Sequence, residues 1–151
     1  IDFCFYYRKY PTKNNSFFLK IISHLAENGF KVVVIGDQLD IQNVDNKGVL
    51  SEKKLNEYLS ISKCSFASDE NLFSLFTIDC LKNNVHIFYN KNLSIIEDTD
   101  LSQIKNQFLA IDYLNIEEAK KQTIEKFNSL KDLPIYEFID FKSFYQEYFE
   151  A

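Results

Sequence analysis

Arg8 is the only arginine among seventeen basic side chains, and it stands where an aromatic-rich run gives way to a polar turn. A guanidinium fork suits two phosphate oxygens. Lys13, five residues on, adds a point charge close to a predicted helix start. Together the two would neutralise a diphosphate; a solvated basic turn is the alternative for the same residues. Ser68-Asp69-Glu70-Asn71 form a second polar cluster, at the mouth of a strongly apolar segment. A helix N-terminus there offers free amides to an anion, and carboxylates and hydroxyls suit sugar hydroxyls. Acidic residues in a first turn are also ordinary capping. Asp98-Thr99-Asp100, following Ile95 and Ile96, is the third cluster. Two carboxylates around one residue can hold a divalent cation against a diphosphate, and the same letters fit any acidic turn.

The remaining reactive residue types are scattered. Cys4, Cys64 and Cys80 are an odd set without metal-like spacing and read as small buried hydrophobes in a reducing cytoplasm. His24 and His86 are isolated and read as core or surface residues. A net charge of −5 argues against a general nucleic-acid surface. No apolar run approaches the roughly 20 residues of a membrane helix, and no signal peptide is visible. With only 3 Gly and 2 Pro, neither disorder nor a repeat fold fits. An apolar strand at residue 1 suggests a fragment of something longer.

Positioning these residues falls to a simple alternation of elements. Residues 1–8 and 31–36 read as strands, the second a continuous apolar run of the kind covered on both faces. A helix between them carries Phe18, Ile21, Ile22 and Leu25 on one face, is capped by Asn15 or Ser16, and stops at Gly29. Residues 37–50 form a loop with at most a short strand near Val44. Ser51 then caps a second helix, with Leu50 and Leu55 at the positions of a hydrophobic staple. Residues 64–67 predict a brief strand. A helix over 72–82 follows, apolar nearly all round and therefore deeply buried. Two further strands, 85–89 and about 107–111, precede a long helix that Asn115 and Glu118 open in capping-box fashion. Ile116, Ala119, Thr123, Phe127 and Leu130 form its stripe.

Short apolar strands alternating with helices imply βαβ units. The expected fold is α/β: a Rossmann-like three-layer αβα sandwich on a parallel sheet. Ligands then belong at the carboxyl ends of the strands. The domain is expected to span residues 1–131. An aromatic helical tail, 132–151, would pack on the same domain or on a partner domain.

In this order the motifs resemble the C-terminal domain of GT-B-fold retaining glycosyltransferases, the family-4 group. Arg8, Pro11 and Lys13 match the family's Arg, Pro and Lys spacing, with Asn14 where Gly is usual. Residues 31–36 are similar to its second strand ending in Gly. Gly48-Val49-Leu50-Ser51 resembles its G-x-L-S helix opening. Phe73-Ser74-Leu75 stands for Phe-Gly-Leu, and Asp79-Cys80-Leu81 for Glu-Ala-Leu. Val85-His86-Ile87 sits where a Pro-Val-Ile-like strand falls. The family's paired donor-site Glu residues are not reproduced: eight residues beyond Glu70 stands Ile78, and aligning Asp79 with the second Glu puts Asn71 at the first.

The resemblance implies one half of a GT-B fold that binds a nucleoside diphosphate sugar and supports glycosyl transfer with retention. Arg8, Lys13 and Glu70 would be catalytic. Val44, Asn46, Asn71, Phe73, Ser74, Leu75 and Asp79 would bind the donor, the first two at its base. It further implies no bound metal, a cytoplasmic setting with membrane association of a parent protein left open, and acceptor binding by an N-terminal domain lying outside these residues. The chain alone would then bind nucleotide weakly and turn nothing over. Two alternatives stay open: a degenerate donor-like binding module, and an unrelated flavodoxin-like or receiver-like domain.

Overall fold

In a computed structural model of the chain, which describes residues 1–10, 15–69, 72, 74–93 and 105–130, the five predicted strand runs become strands, and the loop near Val44 supplies a sixth. They are β1 (Phe3–Tyr7), β2 (Val32–Gly36), β3 (Val44–Gly48), β4 (Cys64–Phe66), β5 (His86–Asn90) and β6 (Phe108–Ile111). Four α-helices lie between or after them: α1 (Ser16–Glu27), α2 (Glu52–Ser60), α3 (Leu75–Lys82) and α4 (Ile116–Ser129). A 3-10 turn, Lys105–Gln107, leads into β6. All neighbouring strands pair in parallel, in the order β3-β2-β1-β4-β5-β6. This is the Rossmann order, in which the winding reverses between β1 and β4. A flavodoxin-like winding has the order 2-1-3-4-5, and the outer strand β3 is what distinguishes this sheet from it.

Both faces of the sheet are covered, which is why β2 reads as an unbroken apolar run. On one face Phe3, Phe5, Phe66 and Phe88 pack across β1, β4 and β5, with Phe5–Phe66 and Phe66–Phe88 ring centroids 5.0 and 4.9 Å apart. Ile21, Ile22 and Leu25 of α1, and Ala119 of α4, cover them. The high phenylalanine content is largely this layer. On the other face Cys4, Val33, Ile35 and Ile87 meet Leu59 of α2 and Cys80 and Leu81 of α3. The three cysteines are free and buried. Burial pushes the Cys4 thiol up to about 12, and those of Cys64 and Cys80 higher still, so none is a ready nucleophile.

Helix starts follow local side-chain chemistry. Ser51 Oγ accepts from the Lys54 amide at 3.3 Å, and Leu50 and Leu55 both pack on the α2/α3 face of the core. Ser51→Ala is expected to lower stability by about 1 kcal/mol, seen as a lower urea midpoint with unchanged slope. Asn115 Oδ1 accepts from the Glu118 amide at 3.2 Å. Asn15 occupies the cap position of α1, but its side chain donates to the Arg8 carbonyl instead of capping an amide.

The 72–82 helix is shorter than predicted. Ser74 Oγ accepts from the Thr77 amide at 3.2 Å, so the helix begins at Leu75. Eight residues cannot turn every apolar side chain to the sheet: Thr77, Cys80 and Leu81 are buried, while Leu75 is 82% exposed. The expected tail at 132–151 lies outside the described residues.

Candidate functional site

The reversal between β1 and β4 opens a crevice at the carboxyl end of the sheet. β1 and β2 stay in register along β1, from Phe3 opposite Val32 to Tyr7 opposite Gly36. β1 and β4 register at Phe3 opposite Cys64, near their amino ends. The chain has no glycine before Gly29. The glycine fingerprint that cradles a pyrophosphate in backbone amides is therefore missing from the turn after β1, and side chains must meet any phosphate there.

Arg8 leaves the end of β1 with its side chain 39% exposed. Nη1 donates to the Tyr6 hydroxyl at 3.3 Å, Nε lies 3.9 Å from Asp37 Oδ2, and the guanidinium carbon lies 5.8 Å from the Tyr10 ring centroid. These neighbours, the Tyr6 hydrogen bond foremost, push its pKa further up, so the charge is permanent. The Lys9 amide donates to Asp37 Oδ2 at 2.7 Å, and the Asp37 amide donates to the Tyr7 carbonyl at 2.9 Å. The loops after β1 and β2 are thereby tied together around Arg8.

Two cavities meet at this point. One, of about 300 Å³, runs toward α1 past Phe5, Tyr10, Asn15, Phe18 and Ser68. The other, of about 440 Å³, runs toward α2 and is lined by Ile35, Gly36, Val49, Leu50, Leu55, Leu75 and Asp79. Tyr6, Arg8, Ser74 and Phe76 belong to both linings. The Tyr6 ring stacks on Phe76, centroids 5.4 Å apart at 25°. A waist carrying the Arg8 charge thus joins an aromatic lobe with Asn15 and Ser68 in its wall to a more apolar one.

Of the residues singled out in the sequence, Arg8, Ser68, Ser74, Leu75 and Asp79 come together here. Ser74 Oγ accepts from the Thr77 amide and shares a second hydrogen bond with Thr77 Oγ1 3.2 Å away, in which either hydroxyl can donate. Val44 and Asn46, expected near a base, line neither cavity. The Asn46 amide is spent on the Leu39 backbone, accepting from N and donating to O, each at 2.9 Å. Val44 packs against the α1/α4 side of the core. Val49 and Leu50 reach the apolar lobe in their stead. Lys13, Glu70, Asn71 and Phe73 lie outside the described residues, as do Asp98 and Asp100. Among the described residues, no group of three or more His, Cys, Asp or Glu is placed to hold a metal ion, and no helix is long and apolar enough to cross a membrane.

Tyr6, Tyr10 and Phe76 were not singled out by sequence reasoning, although Tyr6 carried a signal: two residues before Arg8 in a strand, it lies on the same side as Arg8. Four of the large exposed hydrophobic side chains, Tyr6, Tyr10, Val49 and Leu75, ring this crevice.

The Asp79 carboxylate sits 4.0 Å from Lys82 Nζ. Its pKa is nonetheless raised: burial is the main cause and Glu52 adds to it, while Lys82 opposes. An acid whose pKa rises on folding binds its proton more tightly in the native state. That contribution is full below the unfolded pKa and fades as pH rises through the folded one. Ionised Asp79 is therefore a net cost at neutral pH. Asp79→Asn is expected to raise the urea midpoint at pH 7, with the gain shrinking at about pH 3, below the ordinary aspartate pKa. A midpoint lowered at both pH values would contradict this.

No protein-family model matches the chain, and no curated protein matches it in sequence. Among solved structures, it is similar to the crystal structure of a glycosyltransferase from Rickettsia africae ESF-5. The TM-score is 0.57 and the identity 12%, over 86% of this chain and 38% of that one. The chain thus spans well under half the length of the protein it matches. At this identity the likeness concerns fold: a Rossmann-like α/β domain of an architecture that a glycosyltransferase also uses.

Proposed function

We propose that the chain is the donor-binding half of a GT-B-fold, family-4-like retaining glycosyltransferase, taking a nucleoside diphosphate sugar. The observation that carries this is the shared waist: Arg8 and Ser74 stand in the walls of both an apolar cavity and an aromatic one that also holds Asn15 and Ser68. A ligand matching that order has an apolar flat end, an anionic middle and an end with both ring faces and hydroxyls to offer. A base, a diphosphate and a sugar have that order. The structural neighbour's identity as a glycosyltransferase supports the same reading.

In the reaction the bond from the anomeric carbon to the phosphate oxygen breaks, and its electron pair leaves with the diphosphate. Arg8, joined by Lys13, would stabilise the charge building there. Glu70 or Asn71 would orient the sugar. Asp79 would accept hydrogen bonds from the ribose in the apolar lobe, whose walls Val49, Leu50 and Leu75 suit the base. No metal is needed in this scheme. The acceptor would bind a further, N-terminal domain, so these residues alone should show no turnover. A binding module without turnover is the second reading. It is favoured by Ile78 standing where the family's second Glu would fall eight residues after Glu70.

The test is calorimetric titration of the chain with UDP, GDP and ADP beside the corresponding monophosphates. At least one diphosphate should bind, and more tightly than its monophosphate. Absence of binding by all three diphosphates would overturn the reading.

A further inference from the structure

We propose that Tyr6, stacked on Phe76, is a positioning residue: it holds the Arg8 guanidinium at the waist and thereby makes the site prefer a diphosphate to a monophosphate. The proposal rests on the donor-binding reading above and concerns how that site is tuned.

Tyr6 is the one exposed residue of β1, at 48%. Its ring is fixed against Phe76 in the first turn of α3, which also carries Ser74 at its cap and Asp79 one turn on. Its hydroxyl accepts from Arg8 Nη1. The stack therefore fixes the cation at the end of β1 relative to the helix across the crevice. A phenyl ring would stack equally well. What the phenol adds is an acceptor for the guanidinium.

An exposed arginine has many rotamers and, unheld, acts as a diffuse positive charge. Held at Nη1, beside Asp37 at Nε and over the Tyr10 ring, it presents a fork of fixed direction. Asp37 at 3.9 Å from Nε is beyond hydrogen-bond reach, so most of the five donors stay available to a ligand. A fixed fork discriminates by where two phosphates place their oxygens, whereas a mobile one attracts any phosphate.

The test uses Tyr6→Phe, which keeps the stack and removes the acceptor. Because Arg8 is the only arginine, its Nε–H gives a single arginine resonance in a ¹⁵N spectrum. In the ligand-free chain that resonance should shift and exchange faster with water in the variant. Affinity for the best-binding nucleoside diphosphate should fall about three- to tenfold, with the monophosphate unchanged. In an Arg8→Ala background Tyr6→Phe should cost nothing more. An unchanged Nε signal overturns the proposal, as does an equal loss of affinity without Arg8, which would mean that Tyr6 touches the ligand itself. If the parent binds no nucleotide, the donor-binding reading and the diphosphate preference fail together, and the ligand-free Nε signal alone decides whether Tyr6 holds Arg8.

Discussion

Arg8→Ala is expected to weaken nucleoside diphosphate binding about tenfold or more, measured by calorimetry, while the thermal midpoint stays where it was. The two halves of that expectation have separate causes. The side chain is partly exposed and belongs to neither core cluster, so its loss opens no buried cavity. Binding suffers twice, because the fork disappears and the Asp37 carboxylate, anchored by the Lys9 amide, is left facing the phosphates without its cation. Asp37→Asn in the Arg8→Ala background should therefore recover part of the lost affinity. Arg8→Lys should fall between the two, since an ammonium supplies charge without the planar pair of donors. Raising the salt concentration should weaken the parent more than Arg8→Ala. If Arg8→Ala binds as well as the parent, the phosphates do not meet this side chain and the waist has been assigned the wrong ligand.

The fold was legible because parallel strands buried on both faces write continuous apolar runs, as at residues 31–36, and helices write capped stripes, as from Asn115 to Leu130. Strand order was not legible. Nothing local records that β1 lies beside β4, yet that adjacency brings the loop after Phe66 near Arg8. The start of α3 was misjudged by its apolar letters, because one hydroxyl, Ser74, outweighed Leu72 in setting where the helix begins. Arg8 stood out by rarity and Asp79 by family resemblance, and the two do share a crevice. Asn46 was placed at a ligand on position alone, whereas its amide is consumed by Leu39. Hydrogen bonds between side chain and backbone within a loop leave no periodic trace. The Tyr6–Phe76 stack joins residues seventy apart, and neither partner is unusual in so aromatic a chain.

Gly36 yields the other large effect. It ends β2 at φ +104°, and a methyl group built on it would lie 2.3 Å from the Tyr7 carbonyl oxygen and 3.3 Å from its carbon. Neither atom can move cheaply. Tyr7 and Gly36 are register partners at the ends of two central strands, and that same oxygen accepts from the Asp37 amide at 2.9 Å. The methyl would also come within 3.5 Å of Arg8 Cδ. Gly36→Ala must therefore part the strand ends and break the Asp37 bond together. The expected cost is about 3 kcal/mol or more in urea unfolding, or failure to accumulate as folded protein. Gly29 provides the control. Its φ is also positive, at +82°, but nothing lies within 4 Å of an added methyl, so Gly29→Ala should lose only the conformational part, about 1 kcal/mol. The difference between the two variants isolates the clash. Equal midpoints would mean that β1 and β2 do not approach so closely at Tyr7, and the loops that frame Arg8 would then lack the rigidity that holding a guanidinium fork in one direction requires.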